Sequence, residues 1–318
     1  MSEALRHATL RQLQIFLTAA EQLSFVRTAE ILHLTQPAVS MQMTQLAESA
    51  GTALFEKRGR KLHLTRAGET LVPYVQRIAQ TMREASDEMD ALNGIRHGKV
   101  TIGLVTTTRY FAPKLIAQFH AQHPEIELDV SIANRESVIS QLENNQIDIA
   151  IMGRPPARIP VIAEAFAKHP HAIIAAPDHP LAGKKRISRE QLANEGFITR
   201  EAGSGTRYAM EVFFAEQELS PPIVQVMTSN ESIKQAVMAG MGLAFISLHT
   251  IALEYQTGNL VLLDVKGLPI MRTWYVLHLA NKLLSPAANA FKQFIVAQAP
   301  AYMETLFPGS GLGADDHK

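Results

Sequence analysis

Between residues 71 and 92, seven apolar side chains, Leu71, Val75, Ile78, Met82, Ala85, Met89 and Leu92, follow one another at intervals of 4, 3, 4, 3, 4 and 3. This is an unbroken heptad seam over three repeats, and most of the residues between are charged or amide-bearing. The spacing predicts a long helix from Thr65 to about Asn93 with one narrow apolar edge, narrower than the stripe a core-facing helix usually carries. A second copy of the helix would cover such an edge; a helix lying along its own domain is the alternative, and the pattern alone leaves both open. Pro73 removes one backbone donor and should bend the helix near its start, and Gly94 supplies a stop. The seam divides the chain into residues 1–65, a linker of 66–94, and everything beyond.

The leading segment reads as three short helices and a hairpin. Leu10, Leu13, Phe16, Leu17 and Ala20 recur at helical spacing, and a second helix opens at the N-cap Ser24 with Phe25, Ala29 and Leu32 inward. In HLTQPAVSMQM, Thr35 can cap and Pro37 falls in the first turn, where its missing N–H would have had no partner. If Val39, Met43 and Leu46 face inward, then Pro37, Ser40, Met41, Thr44 and Gln45 point outward. Such a helix contributes little burial but presents Gln36, Ser40 and Gln42 as small polar tips able to reach base edges in a major groove. An ordinary exposed capped helix has the same composition. The next segment, LFEKRGRKLHLT, alternates around Arg58 and Gly59 as a two-stranded wing would. Its Lys57, Arg58, Arg60 and Lys61 lie directly beyond the candidate recognition helix, where phosphate contact is a better reading than a merely solvated face.

Formal net charge over the 318 residues is zero, which taken alone argues against a nucleic-acid partner. The average hides a local excess: through Arg66 there are 8 Lys or Arg against 5 acids, and 5 of the 8 lie in residues 57–66. The chain has no cysteine, which excludes disulfides and thiolate chemistry and fits a reducing compartment. The N-terminus lacks the apolar core and cleavage pattern of an export signal, and no apolar run nears the roughly 20 residues that span a bilayer. A cytoplasmic protein with no membrane partner is therefore expected.

Beyond Gly98 the period changes. KVTIGLV, IELDVSIA and IDIAIMG read as buried strands alternating with helices, and a second round begins near His169 with HAIIAAP. The strand TWYVLHLA and a helix from Ser285 should return to the first round. The expected result is an α/β domain over 95–306 in two lobes, about 95–167 plus 270–306, and 168–269, with a cleft at the strand ends. Three strand-to-helix turns converge on that cleft: Thr106, Thr107 and Thr108; Gly203, Ser204, Gly205 and Thr206, followed by Arg207; and Ser229, Asn230 and Glu231. Each offers backbone N–H groups and hydroxyls at a positive helix end, as an anion site requires, and Asn134, Arg135 and Arg154 could complete it. Each taken singly is no more than a capped helix.

Rival functions leave weaker traces. A secreted solute-binding protein would need an export signal. For an enzyme, no nucleophile elbow, H-E-x-x-H or Walker loop occurs, and Asp148 and Asp264 near strand ends have no visible partner. His169 and His171 share a strand face, but two histidines make a poor metal site. No catalytic residue, metal or bound cofactor is expected.

LTQPAVSMQMTQL followed by LFEKRGRKLHLTRAG resembles the DNA-binding domain of LysR-type transcriptional regulators, and the resemblance extends over nearly the whole chain. The blocks IMGRPP, REAGSGTR and SNESIKQAVMAGMGLAFISLHT resemble the CbbR branch, regulators of Calvin-cycle operons. The resemblance implies a winged helix-turn-helix, a dimerising linker helix and an effector domain of the periplasmic-binding-protein type. It implies a homo-oligomer, commonly a dimer of dimers, that binds double-stranded promoter DNA and answers to a small anionic effector such as a phosphorylated metabolite or NADPH, with RNA polymerase as a further candidate partner. The DNA-reading motif then maps onto residues 25–44. With the cap before it and the wing after, the candidate contacts are Ser24, Phe25, Arg27, Thr28, Thr35, Gln36, Pro37, Ala38, Ser40, Met41, Gln42, Thr44, Lys57, Arg58 and Arg60. The ending FPGSGLGADDHK, residues 307–318, departs from the family pattern and reads as a loose tail.

Overall fold

The computed structural model describes residues 5–59, 61–92 and 98–306. The chain forms two units, the first running to Met89 and the second, from Asp90, holding nearly all of the rest. Arg60 and residues 307–318, named above as a phosphate contact and a tail, lie outside the described residues.

The first unit packs three helices, α1 (Leu10–Gln22), α2 (Phe25–Ile31) and α3 (Gln36–Ala50), against a hairpin of β1 (Phe55–Arg58) and β2 (Lys61–Leu64) and the start of α4 (Arg66–Leu92). Ile15, Phe16, Ala29, Val39, Met43, Leu46, Leu54 and Val75 form its core. α3 buries Val39, Met43 and Leu46, as spacings of four and three require. In α1 the buried residues are Gln12, Ile15, Phe16 and Ala19, so the helix is rotated from the expected apolar set and Leu10 is 55% exposed. The cause is a capping box: Thr9 Oγ1 accepts the Gln12 N–H, and Gln12 Oε1 accepts the Thr9 N–H, which fixes where the helix begins. Gln12 then reaches Gln45 of α3 at 3.3 Å. At the start of α4, Thr65 Oγ1 accepts the Gly68 N–H, and a side chain on Gly68 would collide with the Leu54 carbonyl. α4 runs on through Pro73 without interruption.

The second unit is built on a mixed sheet. β3 (Gly98–Val105) lies between β4 (Ile126–Ala133) and β5 (Ile149–Met152), parallel to both. α5 (Ala112–Gln122) and α6 (Arg135–Glu143) make the crossovers. The alternation of β3 and β5 sends Val100, Ile102, Leu104, Ile149 and Ile151 into a core with α5, while Ala150 and Met152 pack with Val138, Ile139 and Leu142 of α6.

The second lobe contains α7 (Arg189–Leu192), β7 (Phe197–Arg200), α8 (Gly205–Ala215), β8 (Ile223–Met227), α9 (Asn230–Met238), β9 (Ala244–Ser247), α10 (Ala252–Gln256) and β10 (Val261–Leu262). It is entered by β6 (Val161–Ala175) and left by β11 (Ile270–Leu279). β6 does not begin near His169 as the sequence suggested; it is one 15-residue strand that runs from lobe to lobe, with β11 antiparallel beside it. The sheet is therefore parallel only over β3, β4 and β5. In the second lobe Ile173 and Ala175 of β6 face α8, and Ala172 and Ile174 face α9, a strand buried on both sides. α11 (Pro286–Thr305) returns to the first lobe, where Phe291 and Ile295 join the core of α5 and β3.

Candidate functional site

At the surface of the first unit, Thr35 caps α3 by accepting the Ala38 N–H, and Gln36, Pro37, Met41 and Thr44 are exposed while Ala38, Ser40 and Gln42 are half-buried. Gln36 and Ser40 lie one turn apart on the same side of α3, whereas Gln42, two residues beyond Ser40, points from a different side. Two other candidate contacts are engaged within the unit. Thr28 is fully buried and donates its hydroxyl to the Ser24 carbonyl at 2.8 Å, because helix position four back is the nearest acceptor. Phe25 sits edge-on against Phe55 at 5.3 Å, anchoring the wing to α2. Ser24 is the N-cap of α2 and accepts the Arg27 N–H, leaving the Arg27 side chain exposed. On the wing Lys57 and Arg58 are exposed, and Arg58 forks onto Glu56 at 2.7 and 2.9 Å.

An open apolar trough in the same unit runs from Leu5, Leu10 and Leu13 to Leu71, Tyr74 and Ile78. Along α4, Val75 is buried in its own core, Leu71 is half-buried, and Ile78, Met82, Ala85 and Met89 are exposed. The side chain of Leu92 lies outside the described residues.

In the second unit a narrow cleft, open at its mouth, lies where β6 and β11 run between the lobes. Its walls include Thr106, Thr107, Asn134, Arg135 and Arg154 from the first lobe and Arg200, Ser204, Gly205 and Thr206 from the second. His169, His171, Arg272 and Trp274 make the floor. Ser204 caps α8 by accepting the Thr206 N–H, and Gly203 enters that turn at φ +83°, a left-handed conformation glycine tolerates.

Among the described residues four guanidinium groups and no carboxylate line this cleft, and Glu136 and Glu211 enter only at its outer extension. Arg200 is neutralised by two bonds to Glu201, at 2.7 and 2.8 Å, and donates to Asn230 Oδ1. Arg272 donates to the Gly205 carbonyl at 2.9 Å, and Arg135 to the Arg154 carbonyl at 3.0 Å. Arg154 lies 4.9 Å over the Tyr208 ring and, among the described residues, has no carboxylate partner. Burial first of all holds Arg135 and Arg272 below the usual arginine range; repulsion from neighbouring guanidinium groups adds to it, and at Arg135 the carboxylate of Glu136 works against it. Arg135 has Glu136 at 3.8 Å, but Arg154 and Arg272 have no carboxylate partner among the described residues, and cations so placed on a concave polar surface suit an anion.

Of the three turns expected to converge, two do. Thr106 with Thr107, and Ser204 with Gly205 and Thr206, line the cleft. Thr108 is turned inward, its hydroxyl donated to the Val105 carbonyl. Ser229 caps α9, and Asn230 contributes only through Arg200. Glu231 pairs instead with Lys234 at 2.8 Å, and the Tyr110 hydroxyl donates to it at 3.4 Å. Arg207 bonds Glu211 and, with Gly203, lines an outer extension of the cleft. The sequence reading missed Arg200, Arg272 and Trp274; Arg200 opens the block REAGSGTR, but no local motif marks Arg272 or Trp274, which only strand pairing brings in. Asp148, which had no visible partner in the sequence, is buried against Lys282 at 2.8 Å and Thr101 at 2.7 Å, a structural pair. Asp264 lies 3.9 Å from Lys185.

Two family models divide the chain as these two units do: the bacterial regulatory helix-turn-helix protein, lysR family, over residues 10–69, and the LysR substrate binding domain over residues 93–300. The chain belongs to the LysR family. Among relatives of this LysR regulator is the HTH-type transcriptional regulator CfxR of Cupriavidus necator, 46% identical, covering 97% of this chain and 98% of that protein. A RuBisCO operon transcriptional regulator of Allochromatium vinosum is also 46% identical, over 92% of this chain and 97% of its own. Among solved structures, the regulatory domain of Synechocystis PCC6803 CcmR in complex with 2-PG matches with TM-score 0.61 at 37% identity, covering 63% of this chain and 97% of that one. Among the described residues no helix of this LysR protein is long and apolar enough to cross a membrane.

Proposed function

We propose that this LysR regulator binds the promoter of a carbon-fixation operon and adjusts its hold when a small phosphorylated anion enters the cleft. The observation that carries the reading is the set of Arg135, Arg154 and Arg272 around the threonine and serine turns, with no carboxylate among the lining residues. The operon follows from the Allochromatium vinosum relative, a RuBisCO operon regulator by name, and the effector class from the 2-PG bound by the Synechocystis domain. α3 is the candidate for the major groove, through Gln36, Ser40 and Gln42, with Lys57 and Arg58 on phosphates. The exposed seam of Ile78, Met82 and Met89, together with the trough beside α1, suits a second copy of the chain, so the regulator acts as a dimer or a dimer of dimers. DNA binding and effector recognition need no catalytic group; the protein acts as a switch rather than an enzyme.

Gel retardation of a RuBisCO operon promoter fragment by the full chain tests this. Retardation should weaken steeply as salt rises, and 2-PG or a related phosphorylated carboxylate should change affinity or footprint. Salt-independent retardation, or a footprint that no phosphorylated metabolite alters, would overturn it.

A further inference from the structure

Two imidazoles on the floor of the cleft have incomplete hydrogen bonding. His171 is wholly buried, and its Nδ1 lies 3.1 Å from the His169 carbonyl oxygen. A carbonyl can only accept, so Nδ1 carries the proton and Nε2 is a bare lone pair. That nitrogen is buried and among the described residues has no partner, and the same holds for Nδ1 of His169, whose Nε2 meets Ser247 Oγ at 3.0 Å. Buried acceptors seldom go without a donor in native proteins, and both rings line a cleft built for a ligand.

The surroundings say what kind of donor fits. On β6 the neighbour of His171 is His169, with ring centroids 4.2 Å apart; from β9 Phe245 stacks at 5.6 Å. From β11 come Arg272, paired across from His169, and Trp274, stacked on His169 at 3.8 Å; after β9 comes His249. The groups that act on the two rings are therefore histidines and one guanidinium, with no acid among them. A metal ion would meet Arg272 with no carboxylate to offset it, and among the described residues no set of three metal-ligating side chains occurs. An oxyanion at Nε2 would face a lone pair unless the ring took a proton, and burial together with Arg272 brings His171 down to about 3. A neutral O–H satisfies the site without charging it.

We propose that the ligand of this cleft carries an unionised hydroxyl beside its anionic groups and donates it to Nε2 of His171, so that the arginines select for charge and His171 selects for the hydroxyl. The inference rests on the reading of the cleft as the effector site. His169 Nδ1 lies buried beside it, and a Cβ at Gly153 would sit 2.8 Å from that nitrogen, so glycine at that position leaves it room.

The test is calorimetric titration of the full chain with two matched pairs of probes. Glycerate 2-phosphate differs from lactate 2-phosphate, and glycerate 3-phosphate from 3-hydroxypropanoate phosphate, by a single hydroxyl. In at least one pair the hydroxylated probe should bind about tenfold or more tightly. His171→Leu should erase that preference while leaving affinity for the deoxy probe within a few fold, and His171→Gln, which keeps an acceptor, should restore part of it. Titration at pH 7.5 in two buffers of different ionisation enthalpy should show no proton uptake. Equal binding within both pairs, or uptake of a proton on binding, overturns the hydroxyl assignment while leaving the effector site standing. If none of the four probes binds, the effector-site reading fails and this inference falls with it.

Discussion

His171 and His249 are neutral because the fold buries them, and burial holds them near 3 and 4 against an ordinary value of 6.5. Unfolded, each takes a proton as pH falls through 6.5; folded, neither does until far lower, so the unfolded state binds more protons and is favoured. Stability is therefore complete above pH 6.5 and declines as pH falls toward 4. At pH 5 each ring should cost about 2 kcal/mol. Urea midpoints at pH 7.5 and 5.0 measure this, and His171→Gln should recover about half of the loss attributable to the two. Arg154 presents the opposite case, a cation amid cations. Arg154→Met should leave the ligand-free protein as stable or slightly more so, since Arg135 and Arg272 lose a repelling neighbour. It should weaken binding of a phosphorylated probe by about 1.5–3 kcal/mol, read by calorimetry. Little of this was legible in the sequence. Arg135 and Arg154 follow strand ends and could be suspected, whereas Arg200 and Arg272 lie within or beside strands whose partners are far along the chain.

At the scale of single elements, α3 and α4 are readable because their burial repeats locally. Val39, Met43 and Leu46 go inward in the structure as their spacing demands, and the tips left over are those a groove could meet. Gln36→Ala or Ser40→Ala should cost about 1–3 kcal/mol on the preferred site and relax discrimination at one base pair. Lys57→Ala should instead weaken all sequences alike and reduce the salt slope by about 1; fluorescence anisotropy on matched and scrambled duplexes separates the two outcomes. In α4 the seam is exposed over Ile78, Met82 and Met89, so Met82→Glu should lower the oligomeric state in sedimentation while preserving helix content by circular dichroism. α1 shows where periodicity misleads: its capping box starts the helix at Leu10 and turns Gln12 inward, and that Leu10 then faces the trough is a matter of packing.

For the molecule as a whole, the cleft sits on the two strands that join the lobes. β11 pairs with β6 along the whole of its own length, Ile270 opposite His171 and Arg272 opposite His169, with a register shift between Trp274 and Tyr275, while the end of β6 pairs with β9 and β10. A ligand that bridges Thr106 of one lobe and Thr206 of the other favours one lobe angle over another, and its differential affinity sets how far the population moves. Small-angle scattering of the effector domain with a saturating phosphorylated probe should show compaction, and Thr206→Ala should reduce it.

The sequence by itself determined whatever depends on neighbours within a turn or two. That covers the capped helix α3 with its three inward residues, the β1–β2 hairpin, the long seam, and the alternation that makes the second unit α/β. These follow from hydrogen bonds and apolar spacing a few residues apart, which a linear string displays. The tertiary structure alone decided that β6 is continuous across the lobes, that Thr28 and Glu231 turn away from the surfaces expected of them, and that His169, His171, Arg200 and Arg272 share one cleft. Strand register brings together residues about 100 positions apart, and the energy that selects it comes from burying both faces of the sheet, a quantity no local stretch contains.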